Sequence, residues 1–102
     1  MTVVKRRYSA FADTPLELLL RASGIRSIIV GGVTTNGAIE STVRDASTRD
    51  FHVIVAEDCV ASQDQHADMH AASLKTLSAH FAQVQPSAVM IDSSQSIKAA
   101  SR

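Results

Sequence analysis

The stretch Ser27-Ile28-Ile29-Val30-Gly31-Gly32-Val33-Thr34-Thr35-Asn36-Gly37-Ala38-Ile39-Glu40 runs from β-branched residues, through a polar turn, into helical spacing. Isoleucine and valine are stiff at χ1 and pack well on a pleated surface, so 27–33 reads as a strand. Its apolar residues are continuous rather than alternating, which predicts cover on both faces, as in a parallel sheet. Beyond the turn, Ile39, Thr42, Val43 and Ala46 recur at intervals of three and four, so 36–49 is expected to be a helix with one buried face. A second β-branched run, His52-Val53-Ile54-Val55-Ala56, follows. Strand, helix and strand with short connections make a βαβ unit, and 27–33 and 52–58 are expected to lie side by side and parallel.

Outward from this unit, Thr14-Pro15 is a helix-opening pair, leading into Leu16-Glu17-Leu18-Leu19-Leu20-Arg21-Ala22, with Gly24 as the stop. Thr2 to Lys5 reads as a short entrance strand. Downstream, the longest helix is expected over 65–82, with Met69, Ala72, Leu74, Leu77 and Phe81 buried. A weaker third strand falls on Phe81 to Val84, with Ala88 to Ile91 as the alternative. Ser93 to Arg102 are small and polar and read as a frayed tail, leaving one domain over 1–92. The expected fold class is thus α/β, a parallel sheet with flanking helices.

The chain has 102 residues, within the range of one domain, and a formal net charge of zero. No basic face for nucleic acid is evident, since Lys5, Arg6 and Arg7 form only a short run. No segment approaches the ~20 apolar residues of a membrane-spanning helix, and the basic start lacks the apolar block of a secretory signal. One cysteine, Cys59, cannot form an internal disulfide, which fits a reducing compartment. The expectation is a cytoplasmic protein that binds neither nucleic acid nor membrane.

The junction at 33–38 is where chemistry is expected. Open α/β sheets bind ligands beyond the carboxyl ends of their strands, and a helix N-terminus there offers free N–H groups to an anion. The bland alternative is that Thr35 or Asn36 merely caps a helix and Gly37 eases the turn. Elsewhere, Cys59 reads as a small buried residue rather than a displaced nucleophile, for it lacks the helix N-terminal setting that acidifies a thiol. His66 and His70 stand four apart on a predicted helix, a spacing able to chelate a metal, but no third ligand is evident. They read as polar-face histidines, and neither a metal nor a cofactor is expected.

Gly32-Val33-Thr34-Thr35-Asn36-Gly37-Ala38-Ile39-Glu40-Ser41-Thr42-Val43-Arg44-Asp45-Ala46 resembles the nucleophile-bearing segment of the isochorismatase-like cysteine hydrolases. Lys5 followed by Tyr8-Ser9-Ala10-Phe11 is similar to that family's lysine segment. Thr14-Pro15-Leu16, Leu18 to Ile25 and Val55-Ala56-Glu57-Asp58 also fit, so the resemblance covers about residues 3 to 91. It implies a Rossmann-like three-layer fold and hydrolysis of amide or ureido C–N bonds, or of the isochorismate vinyl ether. Lys5 corresponds to the catalytic lysine, Val33 and Thr34 to a cis-peptide pair, and the N–H groups near Gly37 and Ala38 to an oxyanion hole. Tyr8, Phe11, Thr35 and Asn36 correspond to the pocket. Without the motif, Lys5 would read as a solvated lysine, and Tyr8 and Phe11 as core residues.

Two departures bear on activity. Ala38 stands where the family carries its nucleophilic cysteine, and a methyl group cannot attack a carbonyl. The family's aspartate lies on a strand that would precede Met1, so the chain is expected to be the C-terminal portion of a truncated domain. The reading is a hydrolase-like domain that is inactive as this chain. The alternative is a non-catalytic module for small-molecule binding or assembly. A third reading, an enzyme that uses water as nucleophile, is disfavoured by the missing aspartate. Uncovered apolar faces of a half-domain would favour homo-oligomers.

Overall fold

The computed structural model describes residues 2–91 and 97–101. Among these residues, four strands, β1 (Ser27–Val33), β2 (His52–Ala61), β3 (Gln83–Gln85) and β4 (Ile97–Ser101), form one sheet in the order β3-β2-β1-β4, with every pairing parallel. Among the described residues, four α-helices, α1 (Leu16–Ala22), α2 (Glu40–Thr48), α3 (Ala67–His80) and α4 (Ser87–Ile91), flank it. The α/β parallel architecture and the adjacency of the first two strands are those read from the β-branched runs.

The core is a single cluster. Ile28 and Val30 of β1 and Val53 and Val55 of β2 point to one face, where they meet Ile39, Val43 and Ala46, with Leu77 of α3 and Leu16 and Leu20 of α1 in the same cluster. Burying each of the valine, leucine and isoleucine side chains is worth roughly 1.5–3 kcal/mol. The opposite face is different. Ile29 and Ile54, partners across the ladder, are only partly buried, so the cover expected on both faces is complete on one only.

The ladder between β1 and β2 runs evenly from Ser27 opposite His52 to Val30 opposite Val55, then slips to Gly32 opposite Val60. One residue of β1 there faces four of β2, Ala56 to Cys59. Strand β2 therefore extends beyond the expected 52–58, with Glu57 and Asp58 thrown to the surface.

The helices that feed β1 and β2 end in the same way. After α1, Gly24 takes φ +71°, and the N–H groups of Ile25 and Gly24 donate to Leu20 O and Arg21 O at 2.9 and 3.0 Å. After α2, Asp50 takes φ +66°, and Phe51 and Asp50 donate to Ala46 O and Ser47 O, each at 3.0 Å. Each is a Schellman turn that satisfies the last carbonyls of its helix. The Thr14 hydroxyl accepts the Leu16 N–H at 3.3 Å, but the N-cap position falls on Pro15 rather than on Thr14, one residue later than expected.

Several sequence-based expectations are corrected. Thr2 to Lys5 is not a strand: Val3 packs on the core, Val4 is exposed, and no strand among the described residues pairs with the segment. The helix expected over 65–82 is a 3₁₀ turn at Asp64–His66 followed by α3. Its buried residues are Ser73 and Leu77, with Leu74 and Phe81 partly covered, whereas Met69 and Ala72 are exposed because the inward stripe runs through Ser73 rather than Ala72. The third strand starts at Gln83, because the N–H groups of Phe81 and Ala82 still bond Leu77 O at the helix end. Ala88 to Ile91 belong to α4. Ile97–Ser101, expected in a frayed tail, pair with β1 as β4. The remainder of that tail, 93–96 and 102, lies outside the described residues.

Candidate functional site

Strand β1 ends at Val33, and the Val33–Thr34 peptide bond is cis. The Thr34 carbonyl then accepts the N–H of Gly37 at 3.0 Å and that of Ile39 at 3.1 Å, closing a π-type turn over Thr35–Ile39 before α2 begins. Ala38 sits in this turn, 6% exposed. The Gly37 N–H, which the resemblance assigns to an oxyanion hole, is engaged with Thr34 O here.

Two elements distant in sequence hold the turn. Thr35 is wholly buried, and its Oγ1 lies 2.8 Å from Nδ1 of His70 on α3. Asn36 Oδ1 accepts from the Ser62 hydroxyl just beyond β2, and its Nδ2 approaches Met69 Sδ at 3.5 Å. Thr35, wholly buried, and Asn36, half-buried, thus anchor the turn.

The segment before α1 lies across α2. The Ala10 N–H donates to Thr42 Oγ1 at 3.0 Å, and the Phe11 N–H to Ser9 Oγ at 3.1 Å. This brings Tyr8, 74% exposed, over the turn, where a methyl group on Gly37 would lie 3.9 Å from its ring. An open groove of about 520 Å³, lined by Arg7, Tyr8, Asp13, Ser41, Arg44 and Asp45, follows this contact. Lys5 Nζ donates to the Arg7 carbonyl at 2.7 Å. Phe11 is not in the groove. It is a core residue, its ring 5.8 Å from that of Phe51 and facing the Arg49 guanidinium.

The remaining motif residues have structural employment. Glu40 and Arg44 pair across one turn of α2 at 3.1 Å, and the Arg44 guanidinium covers the Phe81 ring at 4.7 Å. Asp45 pairs with Arg49 at 3.3 Å. Asp58 accepts both the hydroxyl and the N–H of Ser87, at 2.6 and 2.7 Å, and these bonds hold its carboxyl below the usual carboxylate range. Among the described residues, no three of His, Cys, Asp and Glu converge as metal ligands, and no helix is long and apolar enough to cross a membrane.

His70, Ser62 and Met69 were not legible as site residues, for each contact spans 26 residues or more. A partial signal existed for His70. It stands three, four and seven residues before Ser73, Leu74 and Leu77, on the stripe that faces the core.

A strand handing over to a helix through such a turn, at the carboxyl edge of a parallel sheet, defines a Rossmann-like α/β domain with its candidate site at that edge. The isochorismatase domain model matches residues 1–89, and the chain belongs to the isochorismatase family. An uncharacterized isochorismatase family protein, YecD, of Escherichia coli O157:H7 is 44% identical over 66 residues, 63% of this chain and 35% of its own length. The ureidoacrylate amidohydrolase RutB of Methylorubrum extorquens is 48% identical over 54 residues, 53% of this chain and 22% of its own. Among solved structures, an isochorismatase-like hydrolase from Alkaliphilus metalliredigens superposes with a TM-score of 0.83 at 37% identity, covering 89% of this chain and 48% of that one. The nicotinamidase PncA of Bacillus subtilis gives 0.75 at 34% identity, covering 78% and 44%. The chain therefore spans half or less of the length of these relatives.

Proposed function

We propose that this chain is a catalytically silent isochorismatase-family domain that keeps the family's strand–turn–helix site without its nucleophile. The observation that carries the reading is Ala38, buried in the π-turn at the position matching the nucleophilic cysteine. Covalent hydrolysis of an amide or ureido group needs an atom that attacks the carbonyl carbon and then departs from the acyl intermediate. The alanine methyl group has no lone pair and can do neither. What remains is a surface for recognition: the exposed ring of Tyr8 beside Gly37 and an open groove with charges of both signs.

The ligand class we infer is a small amide or ureido compound, in keeping with the names of the amidohydrolase and nicotinamidase relatives. A cytoplasmic location fits the single cysteine. The test is a turnover assay of the purified chain against nicotinamide, ureidoacrylate and isochorismate. No product above background is expected with any of them, and saturable hydrolysis of any one overturns the reading. Isochorismate is included because its vinyl ether could be opened by water without a thioester, so turnover confined to it would identify the water-using enzyme.

A further inference from the structure

We propose that His70 is a positioning residue for the 33–38 turn, holding it through the buried Thr35 hydroxyl while Ser62 and Met69 hold the neighbouring Asn36. The inference rests on reading that turn as the site. A hydroxyl buried as completely as that of Thr35 needs a hydrogen-bond partner, and the one the structure provides is His70 Nδ1, at 2.8 Å. Losing such a partner leaves a buried polar group unsatisfied. Asn36 is tied in the same way from both sides, by Ser62 and Met69. Three side chains from α3 and the end of β2 thus converge on two successive residues of the turn, one and two positions before Gly37. The first turn of α2, and with it the orientation of N–H groups about Ala38, is set from outside its own segment.

Thr35 and His70 also have the composition of a nucleophile and base pair. The complete burial of Thr35 closes that role, since no substrate carbonyl can reach Oγ1. Its chemistry is structural, and its effect is on whatever group occupies position 38.

That effect can be read without any natural activity. In the full chain carrying Cys59→Ser, Ala38→Cys places a lone thiol in the turn. Its alkylation by iodoacetamide is followed as a function of pH, because a helix N-terminus favours the thiolate. His70→Ala, added to this background, is expected to slow alkylation near neutral pH by about three- to tenfold and to move the profile to higher pH, with the fold retained by circular dichroism. His70→Asn, whose side-chain amide can stand in for Nδ1 but carries no charge, is expected to restore the parent profile. An unchanged profile in His70→Ala overturns the proposal, and so does a changed profile that Asn does not restore, since the effect would then lie in charge or bulk. If His70→Ala does not fold, Thr35→Val and Thr35→Ser read the same bond from its other end. Valine must reproduce the shift and serine must not, and any other result overturns it. Hydrolysis by the unmodified chain would overturn the silent-domain reading and leave this one standing, while an unmoved thiol would do the reverse.

Discussion

At the residue scale, two positions with positive φ show how one backbone requirement is met well in one place and less well in another. Gly24 ends α1 without a Cβ, and nothing lies within 4 Å of where one would project. Gly24→Ala therefore meets no clash and suffers only the left-handed backbone penalty, a loss of about 1–2 kcal/mol. Asp50 occupies the equivalent position after α2 and already bears part of that penalty. Asp50→Gly is expected to gain up to about 1 kcal/mol, the relief of strain outweighing the added freedom of the unfolded chain. Urea denaturation of the two variants checks both signs, and a loss of stability in Asp50→Gly would show that its side chain earns the position. Gly24 was legible as a stop because glycine after an apolar helix has one common meaning. Asp50 was not, since aspartate has many uses and its φ comes from the Schellman bonds to Ala46 and Ser47.

At the scale of elements, legibility followed the source of each element's stability. Strands β1 and β2 and helix α2 carry their own patterns, β-branched runs or apolar residues three and four apart, and all three form, although β2 runs on to Ala61 and α2 begins at Glu40, after the π-type turn, rather than at 36. Helix α4 carries no such pattern. Ala88 to Ile91 reads equally well as strand, and the Asp58 carboxylate at its start lies 29 residues upstream of Ser87. The site divides in the same way: the turn was legible from its motif, whereas its anchors on α3 and beyond β2 were not. The Asp58 contact also makes a pH prediction. The Ser87 hydroxyl, then its N–H, lower the folded-state carboxyl pKa. The stabilisation is therefore complete above the unfolded value, about 3.9, and is lost as pH falls through the lower folded one. Asp58→Asn should be less stable than the wild type at pH 6, and the gap should narrow progressively as pH falls below about 3.9. Urea midpoints across that range would show it, and two curves falling in parallel would contradict it.

At the scale of the whole molecule, the sheet has one well-covered face, one partly covered face carrying Ile29 and Ile54, and edges at β3 and β4. Leu18, Val4, Val89 and Val33 are each more than half exposed. With a net charge of zero, little repulsion keeps such surfaces apart. Sedimentation at micromolar concentration is expected to show dimers or larger assemblies, and a monodisperse monomer would mean that the open face is tolerated in water. The two ends of the sheet also differ in a way that bears on motion. At the amino ends of β1 and β2, Glu17 bridges Arg21 and Arg49, each at 3.0 Å, and these guanidinium groups close over Phe51 and Phe11, whose rings face one another. Both Schellman turns lie at that end, whereas at the other the β1–β2 ladder slips and Asp58 and Glu57 are expelled. The domain is thus riveted at one rim and loosely laced at the other. Amide protons exchanging into heavy water should persist longest at Ile28 to Val30 and Val53 to Val55 and be lost soonest toward Gly32 and Val60, so the rim that carries the 33–38 turn is expected to open first.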